Sequence, residues 1–249
     1  MGRHDNALQG VMLVALLILF PMTIQLLVHQ DESPLWKTVY VEVESDDDND
    51  DAEARSESRD RDDVARIATF NIKIFGETKM GKADVVSELV NITLRYDMIV
   101  VQEIKDLDQT VPYDFLDAIN AESNETYGLV LSERSGQQED DQGGQEQYAF
   151  YYRTSRFNVE SAWLHNDSEL DEFQREPFIS TFQLLSNNGT VLENITLITV
   201  HTKPANAVNE TAALHNVVET YKTNTTESDI IILGDFNADC GYASTYELT

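Results

Sequence analysis

Cysteine and basic residues are scarce in this sequence. Cys240 is the single cysteine among 249 residues, so these residues cannot form a disulfide among themselves. Lys and Arg total 17 against 45 Asp and Glu, which gives a formal net charge of −28. This balance argues against a protein that holds nucleic acid through a basic surface, because phosphate neutralisation needs cationic side chains. An enzyme that binds a polyanion through metal ions can still be acidic, and the 41% hydrophobic content suffices for a sizeable core.

One long uncharged apolar run, of 18 residues, extends from Val11 to Val28. It is barely long enough to span a bilayer, and Pro21 and Gln25 weaken it further. We predict that residues 1–30 are a signal peptide or a signal anchor. No A-x-A cleavage pattern follows the run, which favours an uncleaved anchor that would attach the protein to a membrane.

Seven N-x-S/T sequons are present, where composition alone would give roughly two. Their asparagines are Asn91, Asn124, Asn166, Asn188, Asn194, Asn209 and Asn224. This number favours a glycoprotein of the secretory pathway, with an extracellular or lumenal domain that is secreted or anchored. In an oxidising compartment the odd Cys240 is a reactive thiol, forms an intermolecular bridge, or pairs with a cysteine outside this chain.

Residues 31–63 form an acidic segment that we predict to be a disordered linker. Its part from 44 to 63 has too few apolar side chains to repay the entropy of folding. Calcium binding by its aspartates is an alternative, but no Gly-centred loop with a terminal Glu orders them. The folded domain is therefore predicted to span residues 64–249.

Strand and helix patterns alternate within this domain. The segment "VARIATFNIKIFG" alternates so that Phe70, Ile72 and Ile74 share one face, which predicts a half-polar strand. A helical pattern follows, and then "MIVVQE", a continuous apolar run typical of a buried strand. Further strands are predicted at "QYAFYYR", "FISTFQLL", "TVLENITLITVHT" and "DIIILGDFN", with a hairpin turn at "NNG" and a helix before the last strand.

Three of the apolar strands end in a side chain that could carry chemistry, namely Glu103, His201 and Asp235. Ligands collect at strand ends in sheets flanked by helices, so these three ends can converge on one site. Carboxylate oxygens suit Mg²⁺ or Ca²⁺, and histidine suits proton transfer near neutral pH. Polar residues also commonly end buried strands for structural reasons alone, which is the alternative for each of the three.

Six blocks in order resemble the deoxyribonuclease I family of the endonuclease/exonuclease/phosphatase superfamily. They are "ATFNIKIFGETKM", "YDMIVVQEIKD", "EQYAFYYR", "REPF", "VHTKP" and "GDFNADC". The resemblance covers residues 64–249 and implies an α+β fold, a two-sheet β-sandwich flanked by helices on both outer faces in four α/β/β/α layers. It also implies a metal-dependent endonuclease that hydrolyses phosphodiester bonds of DNA.

The resemblance assigns roles to residues of this chain. Glu103 matches a ligand of the catalytic Mg²⁺, with Asn71 orienting the site, and Asp235 helps to place the metal. His201 matches the acid/base histidine, and Glu146 matches the carboxylate that orients it. The positions that match contacts to phosphate or DNA are Asn71, Lys73, Lys105, Arg175 and Asn237.

Cofactors and partners also follow from the resemblance. It implies Mg²⁺ as the catalytic ion and Ca²⁺ as a structural or activating ion. DNA is the expected substrate, actin is a partner by family analogy only, and the expected state is a monomer.

Two departures from the family pattern bear on activity. The pattern continues beyond "GDFNADC" with a second catalytic Asp, a Ser-Asp-His motif and the cysteine that pairs with the equivalent of Cys240. We therefore expect the domain to be incomplete at its C-terminus and the activity of this chain to be impaired, whereas the complete gene product is expected to be active. The loop "SERSGQQEDDQGGQEQYAF" carries extra acidic residues, and Gly144 stands where the family places a DNA-contacting Tyr. Both departures favour an alternative in which the chain is a catalytically inactive, membrane-tethered binding module. A phospholipid or an inositol phosphate is a further alternative as substrate.

Overall fold

The computed structural model describes residues 26–27, 37–42, 64–136, 144–225 and 229–238. Within them the strands are β1 (Leu26–Leu27), β2 (Lys37–Glu42), β3 (Val64–Phe75), β4 (Met98–Ile104), β5 (Tyr127–Leu131), β6 (Gln147–Arg153), β7 (Phe157–Leu164), β8 (Phe178–Leu185), β9 (Val191–His201) and β10 (Ile230–Asp235). The helices are α1 (Glu77–Met80), α2 (Ala83–Thr93), α3 (Val111–Glu122) and α4 (Ala207–Asn224), with a 3₁₀ turn at Pro204–Asn206 before α4.

The strands form two sheets, with the orders β1-β2-β3-β4-β6-β5 and β10-β9-β8-β7. Alternate residues of β4 show how the first sheet is buried on both faces. Ile99 and Val101 pack in one cluster with residues of α2 and α3. Met98 and Val100 pack in a second cluster with residues of the other sheet. Because both faces are covered, β4 reads as a continuous apolar run.

A third apolar cluster lies on the outer face of the second sheet. Ile179 and Ile198 of this sheet pack there against Leu214 and Val217 of α4. Helices therefore cover the outer face of each sheet, and the inner faces pack on each other around Phe150. The predicted fold class, a four-layer α/β/β/α sandwich, is confirmed.

The N-terminal predictions fall mostly on residues outside this description. Strand β2 lies inside the segment predicted as a disordered linker and pairs antiparallel with β3, so that prediction is wrong for Lys37–Glu42. The physical reason is local, since "TVYV" is β-branched and aromatic and favours an extended chain. Among the described residues, no helix is long and apolar enough to cross a bilayer.

The alternation predicted for β3 stops at Ile72. Lys73 and Ile74 both have positive φ, 53° and 57°, and the register between β3 and β4 shifts between Asn71 and Phe75. As a result Ile74 is 56% exposed, whereas Phe75 takes the buried position. Local alternation could not reveal this irregularity, because the pairing with β4 produces it.

Candidate active site

The candidate site lies where the ends of five strands meet. Strands β3 and β4 are parallel neighbours in one sheet, and β9 and β10 are parallel neighbours in the other. His201 and Asp235 are direct register partners at the ends of β9 and β10. Strand β6 runs antiparallel to β4, so Glu146, just before β6, comes to the same edge as Glu103. The convergence predicted from the strand ends is therefore present.

Two carboxylates of the site share one amide. The Nδ2 atom of Asn71 donates to Glu103 Oε1 and to Asp235 Oδ2, at 2.9 Å in each case. The second oxygen of Glu103 accepts the backbone N–H of Ile74 at 3.0 Å. Asn71 thus draws together one carboxylate from each sheet.

Backbone irregularity sets the position of Glu103. Its φ is 59°, and the register between β4 and β6 shifts between Val101 and Ile104. A non-glycine residue with positive φ is uncommon, and such strain concentrates at functional sites. The irregularity directs the Glu103 side chain to Asn71 instead of continuing the regular alternation of β4.

His201 forms a buried pair with Glu146. The distance from Nδ1 to Glu146 Oε2 is 2.7 Å, and the two side chains are 6% and 3% exposed. The other ring nitrogen, Nε2, lies 3.8 Å from Glu103 Oε1 and 4.0 Å from Asp235 Oδ2. The backbone of His201 is also held, since its backbone N–H donates to the Tyr148 hydroxyl at 3.0 Å. Glu146 thus fixes the ring so that Nε2 points at the two carboxylates.

Glu146 is ionised by its neighbours despite its burial. Desolvation alone would raise the pKa of Glu146, but the hydrogen bond with His201 and the charges of His201, Arg175 and Lys105 outweigh it and lower the pKa. Its Oε1 lies 2.9 Å from Arg175 Nη2 and 3.1 Å from Lys105 Nζ. An ionised Glu146 accepts this hydrogen bond from Nδ1, and the other ring nitrogen, Nε2, faces Glu103 and Asp235.

The remaining predicted contact residues lie around this centre. The Asn237 N–H donates to Asp235 Oδ1 at 3.0 Å, and its Nδ2 donates to the Thr202 carbonyl at 2.9 Å. The side chain of Lys73 is exposed, and its N–H donates to Asn71 Oδ1 at 2.8 Å. Lys105 and Arg175, predicted to contact DNA or phosphate, both contact Glu146. Cys240 lies outside the described residues.

Sequence patterns did not indicate several residues that support the site. The Gln102 amide donates to the Val200 carbonyl and so joins the two sheets directly beneath Glu103 and His201. Gly234 has a φ of 143°, and a Cβ there would lie 1.9 Å from the Val200 carbonyl oxygen. Lys79 donates to two backbone carbonyls of β3. Each of these contacts joins separate segments, so no local periodicity indicates it.

The donor set fits a divalent cation that keeps much of its water. Across the residues with described positions, no ready-made group of three or more His, Cys, Asp or Glu ligands is found. Mg²⁺ does not need such a cage, because it is usually held by one or two carboxylates and by substrate oxygens. Glu103 and Asp235 are two such carboxylates, held near each other by one neutral amide despite their like charge. A bound cation would relieve their repulsion.

The predicted glycosylation sites differ in exposure. Six of the seven asparagines are exposed. Asn194 is half-buried on β9, and its Nδ2 lies 3.4 Å from Glu160 Oε2. The six exposed sites are Asn91, Asn124, Asn166, Asn188, Asn209 and Asn224.

The chain is similar in sequence to proteins named deoxyribonuclease-1. Over 184 residues the chain is 33% identical to deoxyribonuclease-1 of Bos taurus, a match that covers 72% of this chain and 63% of that protein. It is 35% identical over 181 residues to deoxyribonuclease-1 of Homo sapiens, covering 71% and 62%. The chain thus spans less than two thirds of the length of these relatives.

Solved structures give a weaker likeness. A functionally unknown conserved protein from Enterococcus faecalis V583 superposes with a TM-score of 0.46 at 16% identity, covering 70% of this chain and 68% of that one. The family comparison is more extensive, since residues 68–249 match the Endonuclease/Exonuclease/phosphatase family. The chain belongs to the Endonuclease/Exonuclease/phosphatase family.

Proposed function

We propose that this protein is a metal-dependent endonuclease that hydrolyses phosphodiester bonds of DNA. The observation that carries the proposal is the buried pair of His201 and Glu146, whose free ring nitrogen faces Glu103 and Asp235. The relatives named deoxyribonuclease-1 support DNA as the substrate.

His201 is the general base in this proposal. With the Nδ1 proton held by Glu146, Nε2 accepts a proton from a water molecule that attacks phosphorus. A new P–O bond forms to the water oxygen, the bond to one sugar oxygen breaks, and that oxygen takes a proton from solvent. The ionised Glu146 stabilises the imidazolium that results.

Glu103 and Asp235 are the residues that would hold Mg²⁺, with Asn71 keeping the two carboxylates together. Bound there, the ion would supply positive charge to the phosphate oxygens as negative charge develops on them. Ca²⁺ is proposed as a second, structural or activating ion, and we assign no residues to it.

Phosphate binding is assigned to groups around this centre. Arg175 is 16% exposed in its side chain and holds Glu146 with one terminal nitrogen. The Arg175 guanidinium carries further donors, which are suited to a phosphate oxygen. The Asn237 amide beside Asp235 and the exposed Lys73 would contact the flanking backbone of the nucleic acid. A bound cation also explains how so acidic a chain could hold a polyanion.

The experiment is a supercoiled-plasmid nicking assay with the purified protein. We expect nicking with Mg²⁺, no nicking in chelator, and a loss of about 10²- to 10⁴-fold in rate for His201→Ala. The matched control is His215→Ala, which removes an exposed histidine on α4. A folded protein that leaves plasmid intact with Mg²⁺, or an undiminished His201→Ala variant, contradicts the proposal.

A further inference from the structure

Two consecutive residues of β3 adopt a conformation that their side chains disfavour. Lys73 and Ile74 have φ values of 53° and 57°, in the left-handed region. This region is especially unfavourable for a β-branched residue such as Ile74. Ile74 is also 56% exposed, so burial of its side chain does not hold the backbone in place. Other contacts must stabilise this pair, which we call the Lys73–Ile74 arch.

The arch directs two neighbouring N–H groups into the candidate site. The Lys73 N–H donates to Asn71 Oδ1 at 2.8 Å. The Ile74 N–H donates to Glu103 Oε2 at 3.0 Å. Asn71 in turn donates to both Glu103 and Asp235. The orientation of the two carboxylates therefore depends on the backbone of the arch.

Lys79 of α1 binds the opposite side of the same peptide units. Its Nζ donates to the carbonyl of Ile72 at 2.5 Å and to the carbonyl of Lys73 at 2.6 Å. These carbonyls belong to the two peptide groups whose N–H atoms face Asn71 and Glu103. One ammonium group thus holds the outer side of both peptides while the site side chains occupy the inner side.

An ordinary surface lysine would not make these contacts. Lys79 is half-buried, and burial lowers its pKa, while the charge of Glu103 acts in the opposite direction. Burying part of an ammonium is costly unless its donors are satisfied, and here two backbone carbonyls satisfy them. The Lys79 ammonium is therefore held at the arch by these two hydrogen bonds.

We propose that Lys79 is a positioning residue for the cation site, which acts by holding the Lys73–Ile74 arch and, through it, Asn71 and Glu103. The inference rests on the proposed function in one respect, namely that Glu103 and Asp235 hold a divalent cation. Lys79 itself touches neither the cation nor the substrate in this proposal.

The direction in which loss of the Lys79 ammonium changes the affinity for a cation distinguishes this positioning role from a purely electrostatic one. Loss of a positive charge near Glu103 would, through Coulomb's law alone, make the site bind a cation more tightly. Loss of the positioning contact should instead weaken binding by about 10- to 100-fold, the usual effect of removing a residue that orients a metal ligand.

The experiment measures Mn²⁺ binding to the full chain by electron paramagnetic resonance, without DNA. Lys79→Met should raise the Mn²⁺ dissociation constant, whereas Lys79→Arg, which keeps several donors, should stay near wild type. The matched charge control is Lys82→Met, since Lys82 is exposed and also lies close enough to influence Lys79. In the nicking assay, Lys79→Met should require more Mg²⁺ for half-maximal rate but approach the wild-type rate at saturation.

The remaining outcomes separate failure of this inference from failure of the proposed function. Unchanged or tighter Mn²⁺ binding by folded Lys79→Met overturns the positioning role. Equal Mn²⁺ binding by wild type and Glu103→Gln instead refutes the cation site, and with it the premise. If Lys79→Met does not fold, Lys79→Gln replaces it, because its amide can donate to one of the two carbonyls. Unweakened binding by folded Lys79→Gln would then overturn the inference.

Discussion

The side-chain amide of Gln102 in one sheet donates a hydrogen bond to the Val200 carbonyl in the other. Each partner immediately precedes a residue of the candidate site, Glu103 in one strand and His201 in the other. Gln102 is 1% exposed, and its Oε1 accepts from the Thr69 hydroxyl at 3.3 Å. This polar contact between the two sheets therefore helps to set the spacing between the carboxylate and the imidazole.

Gln102→Leu should destabilise the fold and also reduce activity. The variant keeps the approximate volume but leaves the buried Val200 carbonyl and the half-buried Thr69 hydroxyl without their partner, which costs about 1 to 3 kcal/mol in unfolding free energy. Urea unfolding measures this loss, and the nicking rate below the unfolding transition should fall as well. Gln183→Leu is the matched control, because Gln183 is half-buried and bonds to Glu160 on the neighbouring strand, far from the site. Equal stability of the two variants would contradict the role given to Gln102.

Gly234→Ala should be among the most damaging single-methyl changes in the chain. The added Cβ would lie 1.9 Å from the Val200 carbonyl oxygen and 2.9 Å from Gln102 Nε2, at a φ of 143°. We expect a loss of about 3 kcal/mol or more in unfolding free energy. Gly189→Ala is the control, since Gly189 has a φ of 80° but nothing within 4 Å of its added Cβ. Gly189→Ala should lose only about 1 kcal/mol in unfolding free energy. Similar losses for Gly189→Ala and Gly234→Ala would mean that the structure relieves the clash at Gly234.

The sequence predicts Glu103, His201 and Asp235 for a physical reason. Each ends an apolar run, and parallel strands of a helix-flanked sheet bring such ends to one edge. Glu146 and Arg175 carry no comparable local signal. Glu146 meets His201 across 55 positions and Arg175 meets His201 across 26 positions, so only the family resemblance indicated them.

The elements absent from the sequence-based predictions include α3, β5 and β7. Helix α3 buries few side chains, so its helical periodicity is weak. Pro112 lies in its first turn, where proline is common, but a proline is easily taken as a sign that no helix is present. In β5, Gly128 interrupts a strand of five residues. Strand β7 lies at a sheet edge, exposes most of its residues and has a register shift between Val159 and Ser161, so burial does not alternate along it. In each case tertiary packing, and not periodicity, specifies the element.

Acidification should remove a stabilising contribution of Glu146. Although burial opposes it, the contacts with His201, Arg175 and Lys105 lower the pKa of Glu146 in the folded state. A lowered folded-state pKa contributes stability above the unfolded pKa of about 4.3, and this contribution is lost as pH falls through the folded pKa. Wild type should therefore lose its stability advantage over Glu146→Gln as pH falls from about 5 through the folded-state pKa. Urea unfolding at several pH values tests this, and a gap that stays constant with pH would contradict it.

Glu210 should show the opposite dependence. Burial raises the pKa of Glu210. Hydrogen bonds from Lys203, Gln174 and Asn206 and the charge of Arg175 lower it, but burial is the larger effect. A raised folded-state pKa contributes stability that is present below the unfolded pKa and is lost as pH rises through the folded pKa. Relative to wild type, Glu210→Gln should therefore gain stability as pH rises from about 4 through the folded-state pKa of Glu210. The same unfolding series measures it, and a relative stability that falls with rising pH would show that Glu210 is instead favoured in its ionised form.

Protein made in eukaryotic cells should carry N-linked glycans at several of its sequons. Six of the seven asparagines are exposed, so attached glycans would point into solvent without disturbing the core. Asn194 differs, because it is half-buried and the Thr196 hydroxyl of its sequon is buried against Tyr221 at 2.7 Å. We expect partial digestion with a glycosidase to lower the apparent mass in several steps, and each Asn→Gln change at an exposed site to remove at most one of them. Asn194→Gln is the internal control and should leave the number of steps unchanged. A single band that glycosidase does not shift would contradict the secretory location, because a protein that never enters the secretory pathway receives no such glycans.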